Sequence, residues 1–191
     1  DQHFLIDRRA VEKIAGFVDV SGRRVLEIGP GEGILTRALL ERGAEVIAVE
    51  IDPALVEELE VTFADEIERG RLDIIQGDAR KVDLPPFDIV VANLPYSVSA
   101  KITFRLLSIG FETAILMYQK EFVQRMIAPP GTPNVGRLSV MVQTYASVKP
   151  LLELSPSAFR PKPQVRSCVV RVMPHEPPYP IADRVVYADV V

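Results

Sequence analysis

"RVLEIGPGEGILTRALLERG", residues 24–43, decides the fold. "RVLEI" is a short apolar run of strand character, glycines crowd into positions 29, 31 and 33, and "ILTRALLERG" then carries apolar residues at helical spacing to a stop at Gly43. A strand that runs through a glycine turn into a helix is half of a parallel crossover unit. Outward from it the pattern repeats. "AEVIAVEID" (44–52) predicts a second strand, and Pro53 suits the first turn of a helix over "PALVEELEVTFADEIERG", closed by Gly70. "LDIIQGDA" (72–79) and "FDIVVANL" (87–94) predict the third and fourth strands, followed by a helix over roughly 98–109, the strand "TAILMYQ" (113–119) and the helix "KEFVQRMIA" (120–128).

Upstream, "RRAVEKIAGFVDV" (8–20) predicts an opening helix. Downstream, "PPGTPNVG" (129–136) is a turn-rich loop, and "RLSVMVQTYASV" (137–148) has helical spacing. "SAFRPKPQV" (157–165) is an extended proline loop leading into the strand "RSCVVRVMP" (166–174). Alternating strands and helices of this length predict an α/β, Rossmann-like architecture: a mainly parallel twisted sheet, right-handed crossovers and helices on both faces. Residues 1–174 are read as one α/β domain. "HEPPYPIADRVVYADVV" (175–191) is read as a proline linker and the entrance to a second unit, with a few apolar positions at helical spacing, and with a tail folded back on the sheet as the alternative.

Of the 191 residues, 48% are hydrophobic and 25% charged, enough for one substantial core. No apolar run approaches a membrane span, so no membrane partner is expected. A single cysteine, Cys168, builds no disulfide framework, which predicts a reducing, cytoplasmic setting. His3 and His175 lie far apart, so no metal site is expected. Residues 1–100 hold 11 Lys and Arg against 20 Asp and Glu, a net of −9, whereas residues 101–191 hold 11 against 6, a net of +5. The acidic half argues against wrapping a polyanion, and the basic half leaves room for one.

In such sheets ligands gather beyond the carboxyl ends of the strands, where this sequence puts its unusual residues. The turn "GPGEG" lets backbone approach a ligand closely at a helix N-terminus. Its spacing, Gly-x-Gly-x-Gly, is not the dinucleotide fingerprint, and Glu27 beside it is expected to repel phosphate. Glu50 ends the second strand and suits the two hydroxyls of a ribose; Asp78 ends the third and suits an adenine amino group. Each acid alone is equally an exposed carboxylate or a helix cap. Glycine, Glu and Asp on three successive strand ends, without a phosphate reader, point to S-adenosyl-L-methionine.

"NLPY" (93–96) ends the fourth strand. The exocyclic amine of adenine is a poor nucleophile because its lone pair is delocalised into the ring. Two acceptors on the amine hydrogens pull the nitrogen toward tetrahedral geometry. Asn93 offers its side-chain oxygen, and the carbonyl of Leu94 is fixed in direction because Pro95 restricts the residue before it. Tyr96 offers a face on which a base can stack. An ordinary turn with a packed tyrosine is the plain alternative.

The chain resembles the ribosomal RNA adenine dimethyltransferases of the small-subunit type, relatives of the erythromycin-resistance RNA methylases. The resemblance runs through "QHFLID", "LEIGPGEGILT", "VEID", "GDA", "NLPY", "YQKE", "GRLSVMVQ" and "SAFRPKPQVRS", nearly the whole chain in order. It implies a class I S-adenosylmethionine-dependent methyltransferase fold that dimethylates N6 of two adjacent adenosines near the 3′ end of small-subunit rRNA, with immature small ribosomal subunits as partner and a monomeric state. It assigns Gln2, His3 and Leu5 to the methionine end of the cofactor, although many members carry Asn where this chain has His3. Gly29, Gly31, Glu50, Ile51, Asp78, Ala79 and Asn93 complete the cofactor contacts it implies. Asn93, Leu94 and Tyr96 would hold the target adenine, and Phe159 would stack on its other face, with a core anchor for its loop as the plain alternative; "YQKE" and "GRLSVMVQ" would support the fold, with phosphate contacts by Lys120, Arg137 and Arg160 as the alternative. Two other readings share these features: a methylase of DNA adenine or a glutamine amide, and an RNA-binding ribosome-assembly factor that keeps the fold without catalysis.

Overall fold

Neighbouring residues such as Val25 and Leu26, or Val46 and Ile47, are all buried, and a strand points successive side chains to opposite faces. A sheet that is apolar on both faces must be covered on both, as parallel sheets are. A computed structural model describes residues 3–182 and has that architecture. In chain order its elements are β1 (Phe4–Leu5), α1 (Arg8–Ala15), β2 (Arg24–Ile28), α2 (Ile34–Glu41), β3 (Glu45–Glu50), α3 (Pro53–Thr62), α4 (Ala64–Glu68), β4 (Leu72–Gln76), β5 (Ile89–Asn93), α5 (Ser99–Ile109), β6 (Thr113–Gln119), α6 (Lys120–Met126), α7 (Arg137–Tyr145), β7 (Ala146–Leu154), β8 (Phe159–Arg160) and β9 (Ser167–Pro174). Seven strands form one sheet in the order β4-β3-β2-β5-β6-β9-β7, and β1 pairs with β8 in a separate two-stranded ribbon.

The first five strands of that sheet are parallel; β9 runs antiparallel to both β6 and β7. Val25, Val46, Val91 and Ile115 fall in one core cluster, while Leu26, Ile47, Val90 and Leu116 fall in the other. Full burial of each such side chain stabilises by roughly 1.5–3 kcal/mol, so the two layers dominate the folding free energy. The strand order reverses between β2 and β5. That switch point opens a crevice at the carboxyl ends of the strands.

Three sequence expectations change. The opening helix stops at Ala15 and does not continue to residue 20; its start is fixed by Asp7, whose carboxylate accepts from the backbone N–H of Arg9 and Ala10. The helix expected over 53–70 breaks at Phe63 into α3 and α4. Phe63 is buried beneath the glycine turn: a Cβ at Gly33, where φ is +76°, would lie 2.5 Å from the Phe63 ring. The Arg37 guanidinium covers the same ring at 4.8 Å. This packing outweighs the local helical preference. Finally, the helix expected over 137–148 ends at Tyr145, and residues 146–154 form β7. β7 pairs with β9 from Ala146 opposite Pro174 to Leu154 opposite Ser167, with an irregularity between Pro150 and Leu152. Pro150 has no N–H to give to a ladder, which suits it to such a bulge.

No helix among the described residues is long and apolar enough to cross a membrane. The proline segment after β9 begins with the backbone N–H of His175 donating to the Tyr145 carbonyl, and the Tyr179 hydroxyl lies 3.0 Å from that of Thr144. The helical positions expected near the C-terminus, like Gln2, lie outside the described residues.

Candidate active site

The crevice at the switch point contains a cavity of about 290 Å³, walled by the β1 segment, the glycine turn, the ends of β3 and β4, and residues 93–98. Glycine shapes its near wall. Gly31 has φ +58°, a conformation L side chains rarely adopt, and a Cβ there would sit 2.7 Å from the Phe4 ring. Phe4, between His3 and Leu5, thus closes over the turn, a contact the sequence reading did not assign. The signal available was an aromatic residue inside the "QHFL" segment.

Glu50 is buried at the end of β3. Its Oε1 accepts from the N–H groups of Ile51 (2.8 Å) and Asp52 (3.0 Å), and its Oε2 from Gly31 (3.3 Å). Three backbone donors hold the carboxylate in one orientation and join the β3 end to the glycine turn. Ile51, 60% exposed, and Ala79 lie along the same cavity. Arg105 in α5 donates to the carbonyls of Ala79 and Val82, fixing the loop after β4.

One electrostatic expectation is corrected. Glu27 is no charged residue at the mouth. It is buried in the cavity floor, accepts from the Thr36 hydroxyl at 2.7 Å, and burial raises its pKa to about 8, with the nearby Glu50 charge adding to the effect. It therefore carries a proton at neutral pH through most of the population. Asp78, which the sequence left open between an adenine contact, an exposed acid and a cap, accepts from the backbone N–H of Arg80 at 2.9 Å. Arg80 binds it through Nε and Nη2, the latter at 2.6 Å, and that hydrogen bond lowers its pKa to about 2.

β5, the neighbour of β2 in the sheet, delivers Asn93 beside the β1 segment. The Asn93 amide nitrogen donates to the His3 carbonyl at 3.1 Å. A carbonyl only accepts, so the amide must present its NH₂ there, which leaves Oδ1 as an acceptor for something else. The Leu94 side chain is buried in the core, so its available group is the backbone carbonyl. The half-buried Tyr96 ring lies beside the His3 ring, with centroids 5.7 Å apart, and its hydroxyl is 2.7 Å from the Ser167 hydroxyl. Burial raises the Tyr96 pKa, so it stays a neutral phenol. His3 Nδ1 donates to the Pro161 carbonyl at 2.8 Å.

Asn93, Leu94, Tyr96, His3, Leu5, Gly29, Gly31, Glu50, Ile51, Asp78 and Ala79 all line one cavity. Phe159 does not. Its ring is 1% exposed, in the core cluster that contains Leu5, Leu154 and Ala158, and it is absent from the cavity wall. The cause is the β1–β8 ribbon, which sets Leu5 opposite Phe159 and turns the ring into an anchor. Lys120 is paired with Glu153 at 2.9 Å, and Arg166 approaches the same carboxylate at 3.7 Å. Among the described residues, no group of three or more His, Cys, Asp or Glu could hold a metal ion.

The profile of a family described as "Ribosomal RNA adenine dimethylase" matches residues 1–191. A "Probable ribosomal RNA small subunit methyltransferase A" of Methanospirillum hungatei is 63% identical over 191 residues, all of this chain and 75% of that one. The similarly named protein of Halobacterium salinarum is 48% identical over 192 residues, 68% of its length. Among solved structures, a dimethyladenosine transferase from Plasmodium falciparum superposes with a TM-score of 0.80 at 35% identity, over 91% of this chain and 64% of that one. The 23S rRNA methyltransferase ErmE superposes with a TM-score of 0.81 at 29% identity, over 97% of this chain and 76% of that one.

Proposed function

The chain belongs to the ribosomal RNA adenine dimethylase family, and from that membership we propose that it transfers methyl groups from S-adenosyl-L-methionine to N6 of adenosines in small-subunit rRNA. The finer target, two adjacent adenosines near the 3′ end of the rRNA in immature cytoplasmic subunits, is part of the same reading. The structural observation that supports an amine nitrogen as the methyl acceptor is the Asn93 amide. With its NH₂ committed to the His3 carbonyl, Oδ1 is an acceptor beside a cavity that the glycine turn and the buried Glu50 carboxylate also line.

The residues present suit an adenosine-bearing sulfonium cofactor. Glu50 offers oriented lone pairs for vicinal hydroxyls, Ile51 and Ala79 offer apolar surface for a flat base, and Gly29, where an added Cβ would meet only the Asn93 carbonyl at 3.7 Å, leaves backbone open to close approach. When bound, such a cofactor supplies an electrophilic methyl carbon. The remaining work falls to the chain. Asn93 Oδ1 and the Leu94 carbonyl accept the two amine hydrogens of adenine and aim the nitrogen lone pair, and Tyr96 stacks on the base, worth about 1–3 kcal/mol. The surplus proton leaves a nitrogen made acidic by alkylation, so no strong general base is needed. Positioning and fixed dipoles supply most of the acceleration.

Labelled-methyl transfer to immature small subunits, with the product mapped to its nucleotides, tests the proposal. Asn93→Ala is expected to slow transfer by about a hundredfold, the scale seen when one preorganised polar partner is removed. Transfer at the parent rate would refute the assignment of Asn93. Parent protein that binds the RNA but transfers nothing would favour the assembly-factor reading.

A further inference from the structure

We propose that Ser167 is a positioning residue for methyl transfer, setting the plane of the Tyr96 ring through the bond between their hydroxyls. This rests on the reading above, in which Tyr96 stacks on the target adenine. Stacking depends on ring plane and offset, so a platform that rotates about its side-chain bonds holds a base in many poses. Tyr96 sits in a short turn at Tyr96–Val98, beyond the end of β5, where backbone alone does not fix the ring.

Ser167 supplies what the turn lacks. It is fully buried, opens β9, and is paired on one side with Gln119 of β6 and on the other with Leu154 of β7. A hydroxyl held by strands on both sides is a rigid anchor, and its Oγ lies 2.7 Å from the Tyr96 hydroxyl oxygen. The flank of the ring is set by the same stretch of chain: the His3 ring lies beside Tyr96, and His3 is tied to the Pro161 carbonyl. Both restraints on the platform therefore come from residues 161–167. The stretch expected to lend Phe159 as a second wall instead fixes the orientation of the first.

The test is a double-mutant cycle on the whole chain, with Ser167→Ala and Tyr96→Phe, each removing one hydroxyl at nearly constant volume. Transfer rate and KM on immature small subunits are measured beside calorimetric binding of S-adenosylhomocysteine. Each single variant is expected to lose about tenfold in kcat, the loss of one hydrogen bond, and the double variant no more than either single one. Affinity for S-adenosylhomocysteine should stay near the parent value, and the melting temperature should fall by no more than the few degrees that one lost buried hydrogen bond costs, whereas a general structural weakening would lower both further. Parent-like kcat in Ser167→Ala, multiplicative losses in the double variant, or a matching fall in S-adenosylhomocysteine affinity overturns the inference. Failure of the parent to bind S-adenosylhomocysteine or to transfer methyl groups at all would instead overturn the functional reading beneath it.

Discussion

Replacing Glu50 with Gln probes the cofactor wall most directly, because the structure dictates how the new amide must sit. Oε1 of Glu50 accepts two short bonds, from Ile51 and Asp52, while Oε2 accepts one longer bond from Gly31. An NH₂ group placed at the first position would face two N–H donors, and at the second only one. The glutamine therefore keeps its oxygen on Ile51 and Asp52 and turns its nitrogen toward Gly31 and the cavity. Folding loses one weak bond, about 1 kcal/mol or less. A bound ribose loses an ionised acceptor, a bond worth about 1.5–3 kcal/mol, which converts to a roughly 10- to 150-fold rise in Kd. Calorimetric titration with S-adenosylhomocysteine reads this directly, with a thermal melt to confirm that the variant is folded. A folded Glu50→Gln protein whose Kd stays within about twofold of the parent would refute the assignment of Glu50 to the ribose.

Glu27 makes stability fall with rising pH. Its pKa is raised by burial from 4.5 to about 8, so the folded state holds a proton that the unfolded chain releases between those values. The contribution is whole below about pH 4.5 and is lost as pH rises toward 8, by an amount on the order of a few kcal/mol. Melting temperature should therefore drop more steeply from pH 5 to pH 8 in the parent than in Glu27→Gln, and equal slopes would contradict it. Phe159→Ala, which empties a core site, should destabilise by about 3–5 kcal/mol in urea unfolding, with Phe159→Leu recovering much of the loss. A fully stable Phe159→Ala protein with impaired methyl transfer would return Phe159 to the wall of the base slot.

Some of this molecule was fixed by local chemistry. The strand–glycine–helix order of residues 24–43, the apolar runs of β3, β5 and β6, and the acids on successive strand ends follow from periodicity and turn residues within a few positions of each other. Parallel strands buried on both faces leave that signature whatever surrounds them. Other features were settled only at a distance. Apolar spacing runs on past Tyr145, and only pairing with β9 converts residues 146–154 into a strand. Phe63 breaks a good helix because the glycine turn sits against its ring, and Phe159 leaves the site because β8 pairs with β1. The protonation of Glu27 and the pairing of Asp78 with Arg80 likewise belong to the folded site, since burial and hydrogen bonds to neighbours set a carboxylate's charge. Sequence carries the short-range terms, which repeat every two or 3.6 residues. The orientation of Tyr96 by a serine 71 positions away carries no such period, and chain folding alone brings the two hydroxyls together.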